Sequence, residues 1–133
     1  MKDELFLRGA QVPMTKEAVR ALALAKLELH RARHLIDIGA GTGSVSIEAA
    51  LQNPALRVTA IERQADALRL LADNRQRFGC DNIAIVAGIA PLAGAAKTAA
   101  SFLGGGGGPP PGPGGWAPGA LHPRRRGGGD FFF

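Results

Sequence analysis

At 133 residues and a net charge of +5, the chain is sized for one small domain, and its mild basic excess does not amount to a nucleic-acid-binding surface. A single cysteine, Cys80, excludes an internal disulfide and a cysteine-ligated zinc site, and no apolar run approaches the ~20 residues of a membrane helix. Twelve of the nineteen glycines and six of the nine prolines fall in residues 104–133, so folding capacity is concentrated in residues 1–103.

The start, Met1-Lys2-Asp3-Glu4, is charged and lacks the apolar core of a signal peptide, so a soluble cytoplasmic protein is expected. Thr15 reads as the N-cap of a helix whose stripe is Val19, Leu22, Ala23, Lys26 and Leu27, widened by Leu24 and Leu29, ending near His30. Leu35 to Ile38 is a short buried strand. Ser44 to Gln52 is a helix stopped by Asn53-Pro54, and Arg57 to Glu62 is the second strand. Ala65, Leu68, Leu71, Ala72, Arg75 and Phe78 mark a third helix, closed by Gly79. Ile83 to Val86 is the third strand and Ala99 to Leu103 a fourth. Strands alternating with helices predict a parallel α/β sheet with its ligand site at the carboxyl ends of the strands. The Gly39–Gly43 turn, Glu62 and the Gly88–Pro91 turn all fall there. Beyond Leu103 the homopolymer runs of Gly, Pro, Arg and Phe predict a low-complexity, disordered tail.

The first strand stops at Asp37-Ile38-Gly39-Ala40-Gly41-Thr42-Gly43-Ser44, where a helix begins. Glycines let bare backbone approach a ligand, and the helix start offers unpaired N–H groups to an anion. Glu62, nineteen positions after Gly43, stands where an acidic residue can accept two ribose hydroxyls. These features point to a nucleoside-containing cofactor. The dinucleotide fingerprint G-x-G-x-x-G does not fit, because Ser44 and Ser46 occupy its last position in either register. The phosphate-loop pattern fails for want of a Lys-Ser or Lys-Thr pair. The observed G-x-G-x-G resembles the first motif of class I methyltransferases, which bind S-adenosylmethionine (SAM). The competing reading is a tight strand–helix turn without a ligand.

A wider set of residues resembles one family. Arg8-Gly9, Val12-Pro13-Met14-Thr15-Lys16, Val19-Arg20, the glycine turn with Val45, Ala60-Ile61-Glu62-Arg63, Asn74-Arg75, Phe78-Gly79 and Gly88-Ile89-Ala90-Pro91 are similar to the decarboxylating cobalt-precorrin-6B carbon-15 methyltransferases of cobalamin biosynthesis. The resemblance is close to about residue 92. Beyond it, Gly104-Gly105 with Gly107-Gly108, Trp116-Ala117 and Leu121-His122-Pro123 are scattered matches. It implies a Rossmann-like SAM methyltransferase fold whose C-terminal half is truncated or degenerate here, with domains at 1–103 and 104–133. It also implies SAM as cofactor, bound by Thr15, Gly39, Ala40, Gly41, Thr42, Gly43, Glu62 and Ala90, and no metal. The family departs from this chain at Ile89, where an acidic residue is usual, and at Gly106, where a serine is.

The implied reaction is methylation of carbon 15 of a precorrin with loss of an acetate carboxyl. The catalytic residue is not identified; Arg8 and Lys16 are candidates for holding substrate carboxylates, with solvated surface charge as the alternative. His30 and His34 read as helix-end and strand-start residues rather than bases. A carbon-5 precorrin methyltransferase and a second copy of the chain are the partners in view; nucleic acid and membrane are not. The alternatives are a SAM methyltransferase for another small molecule and a non-catalytic SAM-binding fragment. Base methylation is disfavoured, since the fourth strand ends in Gly104-Gly105 rather than an Asn/Asp-Pro-Pro-aromatic motif. The chain as written is expected to be marginally stable and to turn over little substrate.

Overall fold

A computed structural model describes residues 1–88, 101–103 and 130–132. Three helices and five parallel strands are laid down in the order α1 (Glu17–Leu27), β1 (His34–Ile38), α2 (Ser44–Gln52), β2 (Arg57–Glu62), α3 (Ala65–Phe78), β3 (Ile83–Ala87), β4 (Ser101–Leu103) and β5 (Asp130–Phe132). The sheet runs β3-β2-β1-β4. β1 pairs with β2 from His34↔Arg57 to Ile38↔Ile61, and β2 with β3 from Val58↔Ile83 to Glu62↔Ala87. On the other edge of β1, β4 takes the carboxyl half, from Ile36↔Ser101 to Ile38↔Leu103, and β5 the amino half, at His34↔Asp130 and Leu35↔Phe131. The chain steps outward from β1 to β3 and then returns to β4. The order therefore reverses between β1 and β4, the place where open α/β sheets hold ligands.

Period-two alternation sorts the strand residues. Leu35, Val58, Ala60 and Ile83 join a core with Leu24 and Leu27 of α1, Val45, Ile47 and Ala49 of α2, and Leu71 of α3. Ile36 and Ile61 point to the opposite face, with Ile38 and Val86 packed beside them. The predicted bounds of α2, β2 and α3 match the observed ones, and β1 and β3 are each one residue longer. Gly79 closes α3 at φ 63°, in the left-handed region glycine tolerates.

Helix α1 differs from its predicted form. Its buried stripe is Arg20, Ala23, Leu24 and Leu27, whereas Val19 and Leu22 are 59% and 62% exposed. The buried face is rotated because it must hold the Arg20 guanidinium. Arg20 Nε bonds Glu48 of α2, Nη1 bonds Asp3 Oδ1 (3.1 Å) and the Thr15 carbonyl (2.6 Å), and Nη2 bonds the Met1 carbonyl. The guanidinium also lies over the Phe6 ring, 5.0 Å from its centroid. Thr15 is not the N-cap. Lys16 is, without a side-chain cap bond, because the first helical hydrogen bond runs from Arg20 N–H to the Lys16 carbonyl (2.9 Å). α1 ends at Leu27 rather than His30, turning through Glu28 in the left-handed region (φ 48°) into a short 3-10 turn, Leu29–Arg31.

Among the described residues no helix is long and apolar enough to cross a membrane. The tail expected beyond Leu103 lies outside the described residues, apart from β5.

Candidate functional site

The turns after β1, β2 and β3 are laced together at the carboxyl end of the sheet. Gly39 and Ala40 N–H donate to the Ile61 carbonyl (2.8 and 3.1 Å), and Gly88 N–H donates to the Glu62 carbonyl (2.9 Å). Gly39, Gly41 and Gly43 have φ of 72°, 56° and 83°, which side chains other than glycine's rarely adopt. Space reinforces the choice at two of them. A Cβ on Gly41 would sit 2.9 Å from the Pro13 carbonyl oxygen, and one on Gly43 would sit 2.4 Å from Leu71 Cδ1. The glycines are thus required by the protein's own packing, before any ligand approaches.

Glu62, buried at the end of β2, is the electrostatic centre of the turn. Its Oε2 accepts the Gly41 N–H (2.9 Å), and its Oε1 accepts the Arg63 and Gln64 N–H groups (3.0 and 3.1 Å). A carboxylate has about four acceptor positions, so Oε1 is saturated and Oε2 keeps one. One hydroxyl can join Oε2 without disturbing the turn; a second needs Gly41 to be released.

Behind the turn, Asp37, which the sequence offers as a support of the loop or a strand-end acid, has a partner the sequence did not indicate, Ser46. Asp37, wholly buried on β1, accepts the Ser46 hydroxyl at Oδ2 (2.6 Å). Burial pushes the Asp37 carboxyl up to about 7; the negative charge of Glu62 adds to the rise and the Ser46 bonds oppose it. Asp37 Oδ1 and Thr42 Oγ1 are buried with no hydrogen-bond partner among the described residues. Such atoms are uncommon in folded chains, and a water, an ion or a polar ligand can complete their hydrogen bonding.

A third support comes from α3. Asn74, fully buried, accepts the Leu7 N–H (2.7 Å) and donates to the Leu7 and Thr42 carbonyls (3.0 and 2.9 Å). The signal for Asn74, as for Arg20, was a polar residue at helical spacing with apolar ones: Ala67, Leu71 and Asn74 are the buried stripe of α3.

The structure brings Gly39, Ala40, Gly41, Thr42, Gly43 and Glu62 into one constellation. Thr15 is half-buried and reaches it through the segment whose Pro13 carbonyl rests on Gly41. Ala90 lies outside the described residues. Arg8 and Lys16 are exposed and have no ion-pair partner among the described residues. His34 Nε2 bonds Thr59 Oγ1 (2.8 Å) at the opposite end of the sheet. Two open depressions lie elsewhere. One of about 520 Å³ lies beside Leu24, Glu28, His30 and Asn53; one of about 300 Å³ lies at the strand starts, beside His34, Arg57 and Asp81. Neither adjoins the glycine turn. No group of His, Cys, Asp and Glu among the described residues could hold a metal ion.

Against known proteins, a family described as "Precorrin methyltransferase domain" matches residues 4–111. The chain is 68% identical over 126 residues to the cobalt-precorrin-6B C(15)-methyltransferase (decarboxylating) of Salmonella typhimurium, covering 95% of this chain and 66% of that protein. An alignment of that length in 133 residues extends past Leu103 into the Gly/Pro-rich stretch. It is 50% identical over 91 residues to the probable enzyme of the same name from Pyrobaculum calidifontis, covering 67% and 47%. In three dimensions it is similar to the C-terminal domain of precorrin-6Y C5,15-methyltransferase from Rhodobacter capsulatus, with a TM-score of 0.67, 38% identity and coverage of 81% and 58%. The chain thus spans about two thirds of the Salmonella protein and about half of the archaeal one. Sequence, sheet order and turn geometry lead to the same conclusion: the chain belongs to the precorrin methyltransferase family.

Proposed function

We propose that this chain binds SAM at the Gly39–Gly43 turn and serves a methyltransferase that methylates carbon 15 of cobalt-precorrin-6B and releases an acetate carboxyl as CO2. The observation that carries this reading is the 68% identity over 126 residues to the Salmonella protein of that name. The residues fit the cofactor. The free acceptor position on Glu62 Oε2 suits a ribose hydroxyl, and the first-turn N–H groups of α2 suit a carboxylate. The orphan atoms Asp37 Oδ1 and Thr42 Oγ1 await polar partners. Gly39, Ala40, Gly41, Thr42, Gly43 and Glu62 are the binding set, with Thr15 beside it; Ala90 is assigned to it by the family resemblance alone.

When bound, SAM supplies a methyl group already activated by its sulfonium, so no protein nucleophile is needed. The chain's residues hold, orient and exclude water. Glu62 and the turn fix the nucleoside end. The exposed cations Arg8 and Lys16, flanking the segment that lies on Gly41, are suited to the carboxylates of a precorrin. Residues 1–103 carry the cofactor unit, to whose sheet β5 adds at the edge of β1. A carbon-5 methyltransferase and a second copy of the chain are the expected partners.

Calorimetric titration with SAM and S-adenosylhomocysteine tests the binding reading. Saturable binding is expected, and none at millimolar ligand would sink it. Incubation with cobalt-precorrin-6B, following methyl incorporation and CO2 together, tests the substrate.

A further inference from the structure

Residues 6–15 form a strap that runs along α3 toward the glycine turn. Phe6 stacks on Phe78, with ring centroids 5.4 Å apart. One turn back along the helix, Asn74 grips both backbone groups of Leu7. One further turn back, Leu70 Cδ1 lies 3.0 Å from where a Gly9 Cβ would be. The strap then passes the turn, with the Pro13 carbonyl against Gly41. Among the described residues Asn74 is the one side chain that hydrogen-bonds both strap and turn. Its two amide hydrogens are divided between the Leu7 and Thr42 carbonyls.

We infer that Asn74 is a positioning residue that locks the N-terminal strap to the glycine turn, so that order in the strap and affinity for the cofactor rise and fall together. The cofactor half of this statement rests on the reading in the preceding subsection. The coupling is reciprocal by linkage: a ligand that orders the turn orders the strap, and freeing the strap weakens the ligand by the same factor. Asn74→Asp is the incisive variant. It keeps the shape and the acceptor for Leu7 N–H, but sets a carboxylate oxygen against the Leu7 and Thr42 carbonyls. Leu7→Pro breaks the lock from the strap side without touching α3, and serves if Asn74→Asp does not fold. Ile83→Ala, in the core at the start of β3, is a destabilised control far from the turn.

The experiment is hydrogen exchange by mass spectrometry, without ligand and with S-adenosylhomocysteine, beside calorimetric titration. In the native chain the ligand should slow exchange in residues 6–15. In Asn74→Asp or Leu7→Pro, exchange should quicken at the strap and at Gly41–Gly43 together, even without ligand. Affinity should fall about tenfold or more, while Ile83→Ala binds as the native chain does. Native affinity in either folded lock variant, a strap that opens while the turn stays protected, or an equal loss in Ile83→Ala would overturn the inference. If the native chain binds no ligand, the cofactor reading fails by itself. The ligand-free exchange then still decides whether strap and turn are locked.

Discussion

Glu62 holds the turn, and its proposed cofactor role would conflict with that duty. Its carboxylate accepts three backbone N–H groups in the structure described, one of them from Gly41. A ribose diol would compete for that same oxygen. Glu62→Ala should therefore weaken SAM about ten- to a hundred-fold, the worth of charge-assisted hydrogen bonds of about 1.5–3 kcal/mol, and should also lower stability by leaving the turn's N–H groups unpaired. Titration and urea unfolding of the same variant separate the two effects; unchanged affinity would remove Glu62 from the binding set. Asp37 sets a pH dependence. Its carboxyl titrates near 7 in the fold and near 3.8 when exposed, so the folded chain binds the extra proton between those values. Stability from this group is therefore greatest below about pH 4 and declines as pH rises to about 7, by roughly 4 kcal/mol at ~1.36 kcal/mol per unit. Asp37→Asn should flatten the decline while keeping an acceptor for Ser46. Urea midpoints of both proteins between pH 4 and 8 check this, and parallel slopes would count against it.

At the level of elements, the N-terminal segment is fastened to α1 and α2 by the buried Arg20 guanidinium and by the Met1 ammonium on Glu48. Arg20 joins Glu48, Asp3, the Thr15 carbonyl and the Met1 carbonyl. Removing it leaves the buried Glu48 carboxylate with the Met1 ammonium as its one remaining charged partner among the described residues and strips Asp3 and two backbone carbonyls of their donor. Arg20→Leu should cost about 3–5 kcal/mol, and Arg20→Leu with Glu48→Leu should recover a large part, since an apolar pair of similar volume replaces a desolvated ion pair. Chemical denaturation of the single and double variants measures this. A double variant no more stable than the single would assign the loss to the backbone carbonyls instead. The same network explains why Val19 and Leu22 are exposed: with Arg20 on the buried stripe, the helix cannot also turn those two inward.

For the whole molecule, the proposed division at residue 103 has a direct test. β5 pairs with β1 at two positions, His34↔Asp130 and Leu35↔Phe131, so at most a few hydrogen bonds of about 1 kcal/mol each connect it to the sheet. Trypsin should cut at Arg124–Arg126 and leave residues 1–103 folded, with the midpoint of thermal unfolding moved by only a few degrees. Loss of cooperative unfolding on cleavage would show that the last strand belongs to the folding unit.

The sequence by itself determined the order of the helices and of the first four strands, though not β5 (Asp130–Phe132) in the stretch read as a disordered tail; it also determined the turn between β1 and α2, the placing of Glu62 beside it and the family. These rest on local rules: apolar period, glycine at positive φ, a proline or glycine stop. Only the tertiary structure decided which face of α1 is buried, that Thr15 gives its carbonyl to Arg20 instead of capping a helix, and that Gly41 and Gly43 are kept small by Pro13 and Leu71. Ser46 under Asp37 and Asn74 between strap and turn belong with these, being contacts between residues 9 and 67 or 32 positions apart in the chain. A one-dimensional period scores polar residues as outward-facing. A buried Arg, Asp or Asn is stable only through partners from other elements, and those partners exist only once the chain has folded.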